Sequence, residues 1–402
     1  MRALPRNPST MAAPYESLPT ASRTARLRAA ILLAPCVMLL MTFAAHRGPA
    51  PALQLPAPGG LPYVSTAGLR LNQLQLTGTH NSYHVDSNAT TLEWVNALAV
   101  AWDISLPSMP QQLDGGIRAF ELDVFVDDEG GRFAQPLTLL GRTHDERFDP
   151  PGFKVLHVPD LDQNSICPTL AGCLQDMSAW SAAHPGHLPV MVMIECVEVR
   201  VPNIGPIDFA DPAPWERRHV EELERMVRDT IGEDRLITPD LVRGESASVR
   251  EAITGRGWPL VDDVRGRFMF VITCGIRCDE FLRSMHPGLR GSALFAVVGT
   301  DHPDTSFHVL NDPFADAKEI DSTAALGCIV RTRADENMAE ALSGSTERRD
   351  RAHASGAQIV STDCPAPAAH LGSRYSGRMP DGGTARVHPR ATDPRAGKPI
   401  LP

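Results

Sequence analysis

From about residue 70 onward, short apolar runs of strand length alternate with longer stretches whose apolar positions recur every three or four residues. Strands are predicted at 72–78, 117–126, 153–158, 189–196, 267–274, 292–298, 327–333 and 357–362, and helices most clearly at 170–184, 216–231, 246–254, 316–325 and 336–354. Within 216–231, Val220, Leu223, Val227 and Ile231 lie on one stripe and charges fill the rest, the pattern of a surface helix lying on a sheet. Eight strands with mostly helical crossovers predict an α/β fold, a closed (β/α)8 TIM barrel with long loops. An open doubly wound sheet is the alternative, but no glycine-rich phosphate loop follows the first strand, which removes its usual nucleotide argument.

The pattern changes at both ends. Arg23, Arg26 and Arg28 precede an apolar run from Ala29 to Met41, and small residues follow at Ala44 and Ala45. This predicts a signal peptide or an uncleaved signal anchor over 1–46, and hence an exported protein, secreted, periplasmic or cell-surface. Residues 47–68 are a Pro/Ala/Gly-rich linker, 69–370 form the barrel, and 371–402 are expected to be an irregular tail, extended over the surface or disordered.

Composition narrows the partners. With 402 residues, 43% hydrophobic and 21% charged, a packed core is feasible. A net charge of -10 argues against a nucleic-acid binder, because no excess basic surface meets phosphates. Seven of the eight cysteines lie beyond the apolar segment. In an oxidising compartment Cys167/Cys173 and Cys274/Cys278 are credible disulfide pairs, and at least one of Cys196, Cys328 and Cys364 stays unpaired within the chain.

Chemistry collects at the strand ends. The first strand delivers His80 and Asn81; the second places Glu121 and Asp123 two apart, hence on one face, with Phe120, Leu122 and Val124 on the other. The 153–158 run brings His157, and the apolar run 190–194 closes on Glu195, costly to bury unpaired. Three carboxylates and one amide oxygen make a hard donor set suited to calcium or magnesium, and two histidines beside such a metal suit proton transfer in phosphoryl chemistry. Glu121 has a plainer reading as a partner of Arg118 or Arg142. Arg331 and Arg333 alternate with Val330 and Thr332, so both point inward, toward a phosphate or toward Asp335 or Asp363; Lys154 faces the same choice, with its head expected in solvent. His144 sits in a polar loop with no strand behind it, which favours His157 as the second catalytic histidine.

The runs Gly78-Thr79-His80-Asn81-Ser82-Tyr83, Gln112 through Asp123 and Lys154-Val155-Leu156-His157-Val158 resemble the calcium-dependent bacterial phosphoinositide-specific phospholipase C family, PLC-like phosphodiesterases. Trp180 through Pro185, Leu236 through Asp240, Val330 through Asp335 and Ser355 through Asp363 extend the resemblance across the body. It implies the PLC-like barrel, His80 and His157 as the catalytic pair, and one Ca²⁺ held by Asn81, Glu121, Asp123 and Glu195. The implied reaction is attack of an inositol 2-hydroxyl on its own phosphodiester, giving a cyclic inositol phosphate and diacylglycerol. Lys154, Arg331 and Arg333 are candidate substrate contacts, and the implied partners are a phospholipid or phosphodiester and, transiently, a membrane surface. Glycerophosphodiesters or sphingolipid headgroups on the same barrel are a second reading. A non-catalytic, calcium-stabilised exported binding protein is a third. After Glu195 the chain continues Cys196-Val197-Glu198, where the family pattern leads one to expect a lysine or aspartate, so inositol specificity is less securely written than phosphodiester chemistry.

Overall fold

The computed structural model describes residues 62–86, 101–138, 141–198, 200–203, 208–273 and 276–402. The expected export segment, most of the linker and Cys274, and with Cys274 the expected Cys274–Cys278 pairing, lie outside the described residues. Among the described residues no helix is long and apolar enough to cross a membrane.

Eight parallel strands form a nearly closed barrel: β1 Leu74–Thr79, β2 Ala119–Phe125, β3 Val190–Cys196, β4 Phe268–Thr273, β5 Leu294–Ala296, β6 Phe307–Val309, β7 Ile329–Arg333 and β8 Ile359–Thr362. Their hydrogen-bonded order is β5-β4-β3-β2-β1-β8-β7-β6. The count of eight matches the sequence expectation, but one member differs. The 153–158 run contributes only Lys154–Val155, paired antiparallel with Val124 and Phe125 on the rim of β2. The place it was given belongs to Phe307–Val309, too short to stand out as a period-two run.

Alternation along the strands sorts the side chains. Phe120, Leu122 and Val124 join Val192, Ile194, Phe270 and Ile272 in the outer core under the helices Leu170–Ala183 and Arg217–Ile231, where Val220, Leu223, Val227 and Ile231 are fully buried. The opposite phase, Leu74, Leu76, Ala119, Met191, Met193, Met269 and Val271, fills the barrel interior. Continuing that inward phase toward the strand ends gives Glu121, Asp123, Glu195, Arg331 and Arg333, so the interior changes from apolar to charged along its axis. β1 and β2 touch at Gly78↔Ala119, and a Cβ on Gly78 would sit 2.8 Å from that of Ala119. Only glycine permits this approach.

Two further expectations are corrected. The helix predicted over 336–354 is two helices, Ala339–Ser343 and Glu347–Ala354, separated by Gly344 at φ 71°. The tail is packed: Ala385–Val387 pairs antiparallel with Leu74–Leu76, Ile400 is buried, and the Tyr375 hydroxyl donates to the Ala334 carbonyl. That strand takes up the edge of β1 that β2 leaves uncovered.

Candidate active site

The turn after β1 is locked to β2 from both sides. The Ser82 amide donates to the Glu121 carbonyl, the Glu121 amide donates to Ser82 Oγ (2.9 Å), and the Gln112 side-chain amide donates to the Ser82 carbonyl. Asn81 is held at φ 44° within that turn, a left-handed conformation asparagine tolerates better than most residues. His80, Asn81, His84, Trp102, Ile104, His157, Arg333 and Asp363 then line one cleft.

His80 Nδ1 lies 2.6 Å from Asp363 Oδ1, and Arg333 Nη2 donates to the other oxygen of that carboxylate at 2.7 Å. Burial and the Arg333 charge hold the His80 pKa below the ordinary value, against the pull of Asp363 and Glu121. Across the cleft, the tight turn Val158–Asp162 folds Asp162 back onto His157, with Nδ1 to Oδ2 at 2.7 Å. His84 Nε2 contacts both oxygens of the same carboxylate, and its Nδ1 meets the Ile104 carbonyl at 2.8 Å. Burial alone would lower the His84 pKa, but the Asp162 charge and the hydrogen bonds outweigh it and raise it to about 9. Asp162, fully buried, is held well below the carboxylate range by the His84 charge and the two imidazole contacts.

Glu121, Asp123 and Glu195 sit together on β2 and β3, with Asp123 and Glu195 in register. Burial and the charges of Glu195 and Glu121 push the Asp123 carboxyl well above its usual range. Desolvation by the surrounding protein and the Glu121 charge raise Glu195 to about 7, although its side chain opens to solvent at the strand end. Asp123 Oδ1 is buried with no hydrogen-bond partner. Crowded carboxylates with an orphaned inward oxygen are the donor chemistry of a hard divalent cation, so these residues fit the calcium expected of them. Glu121 does not pair with Arg118 or Arg142: Arg331 donates to its Oε2, while Arg118 binds the Leu113 and Ile117 carbonyls and Arg142 binds Asp160.

The candidate substrate contacts divide. Arg331 is fully buried and engaged by Glu121, Asn311 and Ser361. Arg333 lines the cleft with its Nε unpartnered. Lys154 is corrected: its head is not in solvent but fully buried, 3.0 Å from Asp127 Oδ2, and that ion pair removes it from any substrate. His144 is exposed and paired with Asp149. Sequence reasoning missed His84 and Asp162, and it considered Asp363 only as an arginine partner. Asp363 follows a barrel strand as His80 does, and that rule would have found it. The contact between His84 and Asp162 spans 78 residues and left no local signal. Cys167 and Cys173 are joined, and Cys328 and Cys364 are buried thiols.

The family model for Ca²⁺-dependent phosphoinositide phospholipase C matches residues 69–389. Among solved structures, a calcium-dependent phosphoinositol-specific phospholipase C from a Gram-negative bacterium, Pseudomonas sp, in an apo crystal form is 15% identical, covering 82% of this chain and 100% of that one at a TM-score of 0.50. A second apo crystal form gives 14% identity, 80% and 96% coverage and a TM-score of 0.48. The Ca²⁺-dependent phosphatidylinositol-specific phospholipase C from Streptomyces antibioticus gives 18%, 73%, 94% and 0.47. No curated protein matches the chain.

Proposed function

Because this chain belongs to the Ca²⁺-dependent phosphoinositide phospholipase C family, we propose that it cleaves phosphatidylinositol-type lipids by intramolecular attack. One observation carries the reading: His80 and His157 line the same cleft, each held through Nδ1 by a carboxylate, which leaves Nε2 as the nitrogen available to substrate. His80, with its Nδ1 proton given to Asp363, presents a lone pair that accepts the proton of the inositol 2-hydroxyl. The hydroxyl oxygen bonds to phosphorus, the bond from phosphorus to the glycerol oxygen breaks, and His157 gives that oxygen a proton. The products are a 1,2-cyclic inositol phosphate and diacylglycerol. Acid–base steps of this kind are each worth about 10²–10⁴ in rate. Asn81, Glu121, Asp123 and Glu195 would hold the Ca²⁺, whose chemistry when bound is to acidify the attacking hydroxyl and offset charge on the phosphorane-like transition state. Arg333 stands ready for a phosphate oxygen.

The proposal includes an exported protein that meets its lipid at a membrane surface. The basic-then-apolar N-terminus and the Cys167–Cys173 disulfide support export.

Incubation of the full chain with phosphatidylinositol or glycerophosphoinositol, with calcium or with chelator, tests the reading by ³¹P NMR. Calcium-dependent appearance of the cyclic phosphate from the lipid is expected. Turnover of glycerophosphodiesters alone would transfer the site to that substrate class. Calcium-raised thermal stability without turnover of either would make it a binding protein.

A further inference from the structure

Asp162 carries two imidazoles on one carboxylate, and only one of them, His157, has a part in the reaction proposed above. His84 is 3% exposed and Asp162 is fully buried, so neither reaches substrate. Both nitrogens of His84 face acceptors, a carboxylate and the Ile104 carbonyl, and with Asp162 ionised both must carry protons. A doubly protonated His84 has no acceptor to offer, so the carboxylate is left to accept from His157 Nδ1. The backbone holds the arrangement: His84 bridges Ser165, the Ile166 amide donates to the Tyr83 carbonyl, and Trp102 packs edge-on against His157 at 5.7 Å.

We propose that His84 and Asp162 are positioning residues that hold the Nδ1–H of protonated His157, so that its imidazolium delivers the Nε2 proton to the leaving oxygen and returns to the neutral Nδ1–H form. The inference rests on the function proposed above and extends it to two residues which that reaction does not itself employ. The positive charge of His84 also offsets that of Asp162. What His157 gains is orientation: Asp162 Oδ2 holds its Nδ1 at 2.7 Å while Trp102 packs against the ring, which turns Nε2 to the cleft. The charged and titratable groups around it are Asp162 and His84 on its own side and His80, Asp363 and Arg333 along the cleft.

The test measures kcat and KM on phosphatidylinositol in detergent micelles with saturating calcium, for the full chain and two variants. In Asp162→Asn a neutral amide replaces the anion, with a single oxygen to serve His84 Nε2 and His157 Nδ1, which both meet Oδ2, and an NH₂ where Oδ1 faced His84, so the charged anchor of His157 Nδ1–H is lost. A loss of kcat of about 10²–10⁴ is expected, with KM changed less than threefold. In His84→Gln the carboxylate loses the imidazole that meets both of its oxygens, and a smaller fall in kcat, about 10-fold, is expected with KM again little changed. An inactive wild type sinks the function and this inference with it. An active wild type whose variants keep kcat, or lose it only through KM or through unfolding seen by circular dichroism, overturns the positioning role alone. Stoichiometric zinc binding that Asp162→Asn abolishes would also overturn it, because the trio would then be a metal site.

Discussion

His80 and His157 face one cleft, and each is gripped at Nδ1 by a carboxylate that also meets a cation. For His80 the chain of contacts is Asp363 and then Arg333; for His157 it is Asp162 and then His84. The difference lies in the cation. A guanidinium keeps its charge at any pH the fold survives, whereas an imidazolium is a charge the solvent can remove. The carboxylates also arrive by different routes: Asp363 directly follows β8, while Asp162 comes from a loop that must fold back on itself. One half of the site is thus set by the barrel and a permanent charge, the other by a loop and a titratable one.

The largest test of the pairing is removal of either catalytic imidazole. His80→Ala is expected to lower kcat by about 10²–10⁴ while calorimetry still shows calcium binding, since the carboxylates stay in place. His157→Ala is expected to fall in the same range. A variant that keeps wild-type turnover would remove that histidine from the reaction and break the symmetry of the two sides.

How far the two halves could be read from sequence follows the same division. His80, Glu121, Asp123 and Glu195 lie in or directly after barrel strands, and strand alternation was enough to place them inward. The layering of the core was legible for the same reason, since Phe120, Leu122 and Val124 must share a face if Glu121 and Asp123 share the other. His157 was found, though through a run misread as a barrel strand; its side chain reaches the cleft from a loop, and nothing periodic announces a loop. Lys154 was misplaced because a lysine next to an apolar run looks like a snorkelling surface residue. The partner that draws it inside, Asp127, lies 27 positions earlier in a segment of no regular pattern. The tail was misjudged because three residues of strand cannot be distinguished from irregular chain until the uncovered edge of β1 is in view.

The next effect separates stability from chemistry. Arg333→Met leaves Asp363 buried with only His80 beside it and is expected to cost about 3–5 kcal/mol in urea unfolding, together with a fall in turnover. Lys154→Met is the matched control. It strands buried Asp127 in the same way and is expected to cost a similar amount, but the pair lies outside the cleft, so turnover per folded molecule should hold. A lower kcat of Lys154→Met at full folding would instead place Lys154 in the working site.

The smallest effect is the most specific to the comparison, because it uses the cation that can be discharged. The folded pKa of His84 is about 9, above the 6.5 or so of an unfolded chain. Its ion pair therefore contributes fully below about pH 6.5 and is lost as pH rises through about 9, a contribution of up to about 3 kcal/mol. Asp162 has the opposite sign: held low in the fold, it contributes above the ordinary carboxylate range and is lost as pH falls below it. The pair should therefore stabilise most between roughly pH 4 and 6.5. Arg333–Asp363 shares the acid limb but has no alkaline one, since Arg333 does not discharge. Urea unfolding of the wild type and of His84→Gln across pH 5–10 isolates the alkaline limb. The wild type should lose stability relative to the variant between about 6.5 and 9, and the two curves should run parallel beyond. Parallel curves across the whole range would mean that His84 is neutral in the fold. The two sides of the cleft would then differ in kind, one carboxylate meeting a cation and the other not, rather than in the permanence of one charge.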